Sequence, residues 1–177
     1  MHTPKPDDCV FFYGHSSGEF RYLSNFFSSK FFMSHACIGV PNDVYSYPTA
    51  EHAIMHIKAC LMGDDEMSDK ILSADKPVQA KKLGRKVKPF DADKWNLNVE
   101  KIAYFVLEAK FKQNDVIARK LRDTKNKILA EASPRDRIWG IGLGAAKAKQ
   151  GTTWNGRNIL GNALMKVREQ LIALSMS

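Results

Sequence analysis

The sequence predicts an α+β fold dominated by helices, a single compact domain with a small aromatic-rich β-hairpin portion near its N-terminus. Three observations carry that expectation. Phe11, Phe12, Tyr13, Phe20, Tyr22, Phe26, Phe27, Phe31 and Phe32 crowd the first fifty residues, where short apolar runs are broken by Gly, Ser and Asn. Beyond Pro48, apolar residues recur mostly at helical spacing. With 177 residues, 44% hydrophobic and 26% charged, the chain has the length of one domain and enough apolar material for a core.

The elements follow in order. Residues around His35–Val40 and Val44–Tyr47, joined across Pro41 and Asn42, read as a hairpin. Thr49 is placed to cap a helix whose Ala50, Ile54, Ile57 and Leu61 share a stripe, and Gly63 stops it. Asp64 or Asp65 opens a short helix through Leu72, and Asp75 and Pro77 open another that ends at Leu83 and Gly84. Asp91 caps the longest pattern, with Trp95, Val99, Ile102 and Val106 on one face, reaching about Lys112. A further helix after Asn114 carries Val116, Ile117 and Leu121. Residues 133–156, rich in Gly, Pro and Trp, read as ordered loops. A closing helix from about Asn158 carries Ile159, Ala163, Leu164, Val167 and Leu171.

Composition narrows the function. No apolar run reaches the roughly 18–20 residues of a membrane span, and Met1–Asp8 has neither the basic nor the apolar region of a signal peptide. Cys9, Cys37 and Cys60 are odd in number and form no CxxC pair, which argues against a disulfide scaffold and for a reducing compartment, cytoplasmic or, in a eukaryote, nuclear. The charge is segregated: residues 1–75 carry 5 Lys/Arg against 10 Asp/Glu, and residues 76–177 carry 22 against 9. A net +13 over the second stretch points to an anionic partner, with a merely solvated surface as the plainer reading.

On the helix after Pro48, Glu51 and Lys58 are seven residues apart. They therefore share a face to within about 20° and lie about 10 Å apart along the axis. Both border the apolar stripe, where a low dielectric can bring a carboxylate or amine pKa into a useful range. An ordinary first-turn acid and a snorkelling lysine are the bland alternative. His52 and His56 have a metal-capable spacing but no HExxH pattern, and the wheel puts them away from the apolar stripe, as surface histidines; no metal is expected. Gly140–Ala145 formally matches GxGxxG/A, yet lacks the preceding buried strand and the following acid of a dinucleotide fold. A glycine loop approaching a phosphate or ribose stays open. Between Gln79 and Lys88 stand five cations and no acid, of which Arg85 is best placed for bidentate phosphate binding.

Together these segments resemble one family. Gly18–Phe26 contains a Leu-Ser-Asn-Phe run; Tyr47–His52 reads Tyr-Pro-Thr-Ala-Glu-His, followed by Lys58 and Ala59; Ala80–Arg85 is followed by Phe90 and Trp95; Lys110–Asn114 reads Lys-Phe-Lys-Gln-Asn. Ser133–Asp136 with Trp139 and Gly140, then Trp154 with Asn158 and Gly161, complete the series in order. The chain is on these motifs similar to the YbiA-like, or NADAR, family over about residues 11–174, leaving 1–10 as an N-terminal extension to a domain of 11–177.

The resemblance implies an N-glycosidase that needs no cofactor and cleaves the bond between ribose C1 and an exocyclic amine. Two substrate classes go with the family: ADP-ribose on guanine in nucleic acid, and phosphorylated ribosylamine intermediates of riboflavin biosynthesis. For catalysis it implies Glu51 first and Asp136 second as the carboxylate, with Lys58 as a lysine able to capture a ring-opened ribose by transimination, and Lys110 as a rival. Attack by water remains the other route. For the substrate it implies Asn25 as a hydrogen-bonding group, Phe26 and Trp139 as stacking surfaces, Arg85 as a phosphate contact, and Gly140, Asn158 and Gly161 as the ribose and phosphate end. Trp95 and Trp154 are expected in the core. The basic second stretch favours nucleic acid over a small metabolite. No membrane and no obligate protein partner are expected, and a non-catalytic ADP-ribose reader is the alternative of another class.

Overall fold

The computed structural model describes residues 3–35, 39 and 43–176. The chain forms two compact units: residues 25–114, and residues 1–24 together with 115–177.

The unit of residues 25–114 is built around one helix. Strands β2 (Phe31–Ser34) and β3 (Val44–Tyr47) pair antiparallel, with Phe31 opposite Tyr47; β1 (Cys9–Phe12) belongs to the other unit. The first strand of the expected hairpin is thus Phe31–Ser34, and most of the predicted His35–Val40 strand, with Pro41 and Asn42, lies outside the described residues. Helix α1 (Ala50–Met62) begins where Thr49 Oγ1 accepts from the His52 N–H and ends at Gly63, whose φ of 75° is the left-handed conformation glycine tolerates. Around it pack α2 (Asp65–Leu72), α3 (Pro77–Gly84), α4 (Ala92–Lys112) and β3. Asp64 and Asp91 cap α2 and α4 through the N–H groups of Met67 and Lys94. The predicted α4 face, Trp95, Val99, Ile102 and Val106, is buried. At the far end of α4, the Gln113 amide donates to the Phe32 carbonyl (2.7 Å) and accepts from its N–H (2.9 Å), fastening the edge of β2.

Because α1 has neighbours on every side, all residues from Ala50 to Ile57 are buried, polar ones included. This corrects the wheel: His52 and His56 are not surface histidines. An apolar stripe marks only the face that packs hardest when a helix runs through the middle of its unit. Gly84 closes α3, as expected, and a Cβ there would meet the Met55 side chain, so the glycine serves close packing of α3 on α1.

In the second unit, β1 (Cys9–Phe12) pairs parallel with β4 (Ile128–Glu131), Cys9 opposite Ile128. Helix α5 (Asp115–Asp123) buries Ile117 and Leu121 and leaves Val116 at the surface. Helix α6 (Ala145–Lys149) lies within the predicted loop region, and α7 (Ile159–Met176) closes the chain. Ala130, Ala132, Ile141 and Ala148 form a small core with Phe11, Leu143 and Trp154 packed against it. Helix α7 lies on β4 and α5. A buried cation ties this unit: Arg168 donates to Thr124 Oγ1 and to the Lys127 carbonyl, each at 2.8 Å.

The contact of α7 with β4 depends on Gly161. A Cβ there would overlap the Leu129 carbonyl and lie 2.5 Å from Asn158 Nδ2. Gly161→Ala is expected to destabilise the protein by about 1–3 kcal/mol through overpacking, read as a lower urea midpoint at unchanged m.

Candidate active site

The predicted site residues fall into two groups. Asn25, Phe26, Glu51, Lys58, Arg85 and Lys110 belong to the unit of residues 25–114; Asp136, Trp139, Gly140, Asn158 and Gly161 belong to the other.

In the first group, the Glu51 N–H at the start of α1 donates to the Asn25 carbonyl (2.9 Å), which ties the Asn25–Phe27 segment to the helix N-terminus. Glu51 is buried, at 5% exposure, in the first turn, where the helix dipole favours its charge. The Asn25 Oδ1 is buried and without a hydrogen-bond partner. A buried carbonyl oxygen left unpaired costs about 1–3 kcal/mol. Phe26 lies half-buried beside it with Lys81 Nζ 5.6 Å from its ring centroid.

Lys58 is half-buried, its amine donating to the Gly84 carbonyl (2.7 Å) and lying 4.5 Å from the Phe90 and 5.6 Å from the Trp95 ring centroid. Burial, and then the neighbouring Arg85 guanidinium, push its pKa down. Arg85 itself is exposed just past the end of α3. Trp95, in the core as expected, thus also lines the lysine.

Lys110 is fully buried, its amine near the rings of Phe27 and Phe111, and burial lowers its pKa from an ordinary 10.5 to about 7. The folded protein therefore binds fewer protons here than the unfolded chain between those values. The sign follows: stability is reduced below pH 7 by the need to keep this amine neutral or bury its charge, and recovers as pH rises towards 10.5. Lys110→Met is expected to flatten that rise, measured as the pH dependence of the urea midpoint of variant against parent.

In the second group, Asp136 Oδ1 accepts from the N–H groups of Ile138 (3.0 Å) and Trp139 (2.8 Å), so this carboxylate builds the turn that carries Trp139. Gly140 is enclosed: a Cβ added there would lie 2.8 Å from the Glu131 carbonyl oxygen. Asn158 is buried at a φ of 53°; its Oδ1 accepts from the Glu131 N–H and its Nδ2 donates to the Leu129 carbonyl. Its carboxamide fastens α7 to the edge of β4, a role that no local pattern reveals. Trp154 packs edge-on against Phe11 at 6.4 Å. A cavity of about 970 Å³ in this unit, lined by Glu19, Tyr22, Lys120 and Lys125 among others, includes none of the predicted site residues.

His52 and His56 do not come together as a metal pair. His52 bonds Thr49 Oγ1 (2.7 Å) and the Ala74 carbonyl (3.0 Å), whereas His56 Nδ1 bonds the Tyr47 hydroxyl (2.6 Å).

The unit of residues 25–114 thus holds a buried first-turn carboxylate, two lysines whose pKa burial lowers, and a buried amide oxygen without a hydrogen-bond partner. Comparison with known proteins defines the class: the model of the NADAR domain matches residues 11–172, and the chain belongs to that family. N-glycosidase R617 of Acanthamoeba polyphaga mimivirus is 40% identical over 126 residues, covering 70% of this chain and 74% of that protein. N-glycosidase YbiA of Escherichia coli is 30% identical over 154 residues, 84% of this chain and 88% of YbiA. The NMR structure of YbiA superposes with a TM-score of 0.74 at 26% identity, covering 99% of this chain and 91% of that one. A riboflavin biosynthesis protein, VVA0006 of Vibrio vulnificus, is 30% identical over 85% of this chain but only 35% of its own length. At the level of the family the activity is that of an N-glycosidase, a hydrolase. Among the described residues no helix is long and apolar enough to cross a membrane.

Proposed function

We propose that this N-glycosidase removes ADP-ribose from guanine in nucleic acid, cleaving the bond between ribose C1 and the exocyclic amine. The observation that carries the substrate choice is the exposed positive charge. Of the 22 Lys and Arg in residues 76–177, all but Lys81, Lys110, Arg122 and Arg168 are exposed. A phosphorylated metabolite needs few cations, whereas a polyanion rewards an extended set through counterion release.

Glu51 acts as the proton-transferring carboxylate. Glu51, protonated, gives its proton to the ribose ring oxygen as the C1–O bond breaks and the guanine nitrogen lone pair forms the C1 iminium, which the resulting carboxylate stabilises. Lys58 acts through the open-chain form. The ribose ring opens to an iminium at C1, the neutral lysine amine adds to C1, the guanine amine leaves with a proton, and water hydrolyses the resulting lysine imine to release ADP-ribose. The lowered pKa of Lys58 supports this role, since only the neutral amine is a nucleophile. Lys110 has the more strongly lowered pKa but no exposure, which favours Lys58 as the lysine that meets substrate. Asn25 Oδ1 accepts from the substrate, Phe26 stacks on a base, and Arg85 meets phosphate. Asp136, Gly140, Asn158 and Gly161 act as positioning residues that hold the Trp139 turn and the start of α7.

The reading is tested by comparing kcat/KM for ADP-ribosylated guanine in an oligonucleotide and as a free nucleoside, across salt. Preference for the oligonucleotide that collapses with salt is expected. Equal rates on both, or turnover only of a phosphoribosylamine, would replace it with the metabolite reading that similarity to VVA0006 favours.

A further inference from the structure

Away from the residues assigned to catalysis, α1 presents a second cluster. His56 and Cys60 stand one turn apart, and His35 follows β2 directly. One donor atom from each of the three lies within 4.8 Å of the others. Both histidines are buried at 1% exposure, and Cys60 is half-buried.

The rings are held in place by one hydroxyl. Tyr47 Oη bonds His35 Nε2 (2.7 Å) and His56 Nδ1 (2.6 Å), leaving the other ring nitrogen of each histidine turned from that tyrosine. His56 Nε2 is already 3.5 Å from Cys60 Sγ. Tetrahedral zinc, with Zn–N of about 2.0–2.1 Å and Zn–S of about 2.3 Å, needs ligand atoms about 3.5 Å apart. His56 Nε2 and Cys60 Sγ are at that spacing, and a donor atom of His35 lies within 4.8 Å of the other two residues' donors, a gap that side-chain rotation would have to close. Tyr45, stacked on His35 at 4.9 Å and edge-on to His56 at 4.7 Å, walls the cluster. Ser68 Oγ is 3.5 Å from Cys60 Sγ, a further oxygen beside the thiol.

We propose that His35, His56 and Cys60 form a transition-metal site of the zinc type, fastening the β2–β3 hairpin to α1. Two imidazoles and a thiolate form a borderline-soft donor set, which suits zinc over magnesium or calcium. Tyr47 supplies the outer contact that fixes both rings, as metal-bound histidines require. Binding is balanced by loss of one proton: the Cys60 thiol releases H⁺ to solvent as the sulfur–metal bond forms. The fourth position falls to water or Ser68. This inference is independent of the glycosidase substrate.

The test uses the full chain, reduced and stripped by a chelator, titrated with Co²⁺ and then Zn²⁺. Expected are one Co²⁺ per chain, a thiolate-to-cobalt charge-transfer band, and its bleaching by Zn²⁺. Cys60→Ser should lose the band, and Tyr47→Phe, which keeps all three donors, should bind about 10–100-fold more weakly. In the parent, Zn²⁺ should also shield Cys60 but not Cys9 from alkylation, a readout that needs no variant. Cobalt binding without a thiolate band, binding unchanged in Cys60→Ser, or equal alkylation of Cys60 with and without zinc would overturn the site and leave a purely hydrogen-bonded His-Tyr-His-Cys cluster.

Discussion

Glu51→Gln is expected to lower kcat by about 10²–10⁴-fold, the usual contribution of a positioned proton-transferring group, while KM changes little. Glutamine keeps the shape of the side chain and leaves the backbone bond from residue 51 to the Asn25 carbonyl intact. What it removes is the ionisable carboxyl at a buried position, the proposed proton donor. Single-turnover rates on ADP-ribosylated oligonucleotide, with binding measured separately, check this. A fall in binding with kcat preserved would make Glu51 a structural first-turn acid instead.

Lys58→Ala should fall as far, and for a reason that leaves a chemical trace. If the amine at C1 is replaced by lysine, borohydride added during turnover reduces the imine and fixes the ADP-ribosyl chain to the protein. Peptide mass mapping should place the adduct on Lys58, and Lys58→Ala should give none. Lys58→Arg should be equally inactive, because a guanidinium stays protonated. An adduct on Lys110 would transfer the role to the fully buried lysine. Turnover with no adduct on either would favour direct attack by water with Glu51 as base.

Much of the helical framework is legible in the sequence because caps and stops are local. Thr49, Asp64, Asp91 and Gly63 do what their side chains or missing Cβ dictate within four residues. What is not local stays hidden. Strand β4 is a four-residue stretch, Ile128–Glu131, whose partner β1 lies at Cys9–Phe12, and a short apolar run alone does not tell strand from helix. The burial of His52 and His56 follows from how many elements surround α1, which no wheel of one helix contains. Asn158 and Gly161 carry a motif signal, but their contacts with Leu129 and Glu131 give them structural work. The buried amine of Lys110 stood out only through family resemblance, since a lysine within an amphipathic pattern otherwise reads as surface.

The measurement that bears most directly on the central claim is a mass-resolved time course on an oligonucleotide carrying ADP-ribose on a single guanine. Parent, Glu51→Gln and Lys58→Ala proteins run side by side, each checked for folding by circular dichroism. Expected are release of free ADP-ribose and restoration of the unmodified oligonucleotide mass by the parent, with both variants silent. A folded parent that leaves the modified oligonucleotide intact, while hydrolysing a phosphoribosylamine, would contradict it.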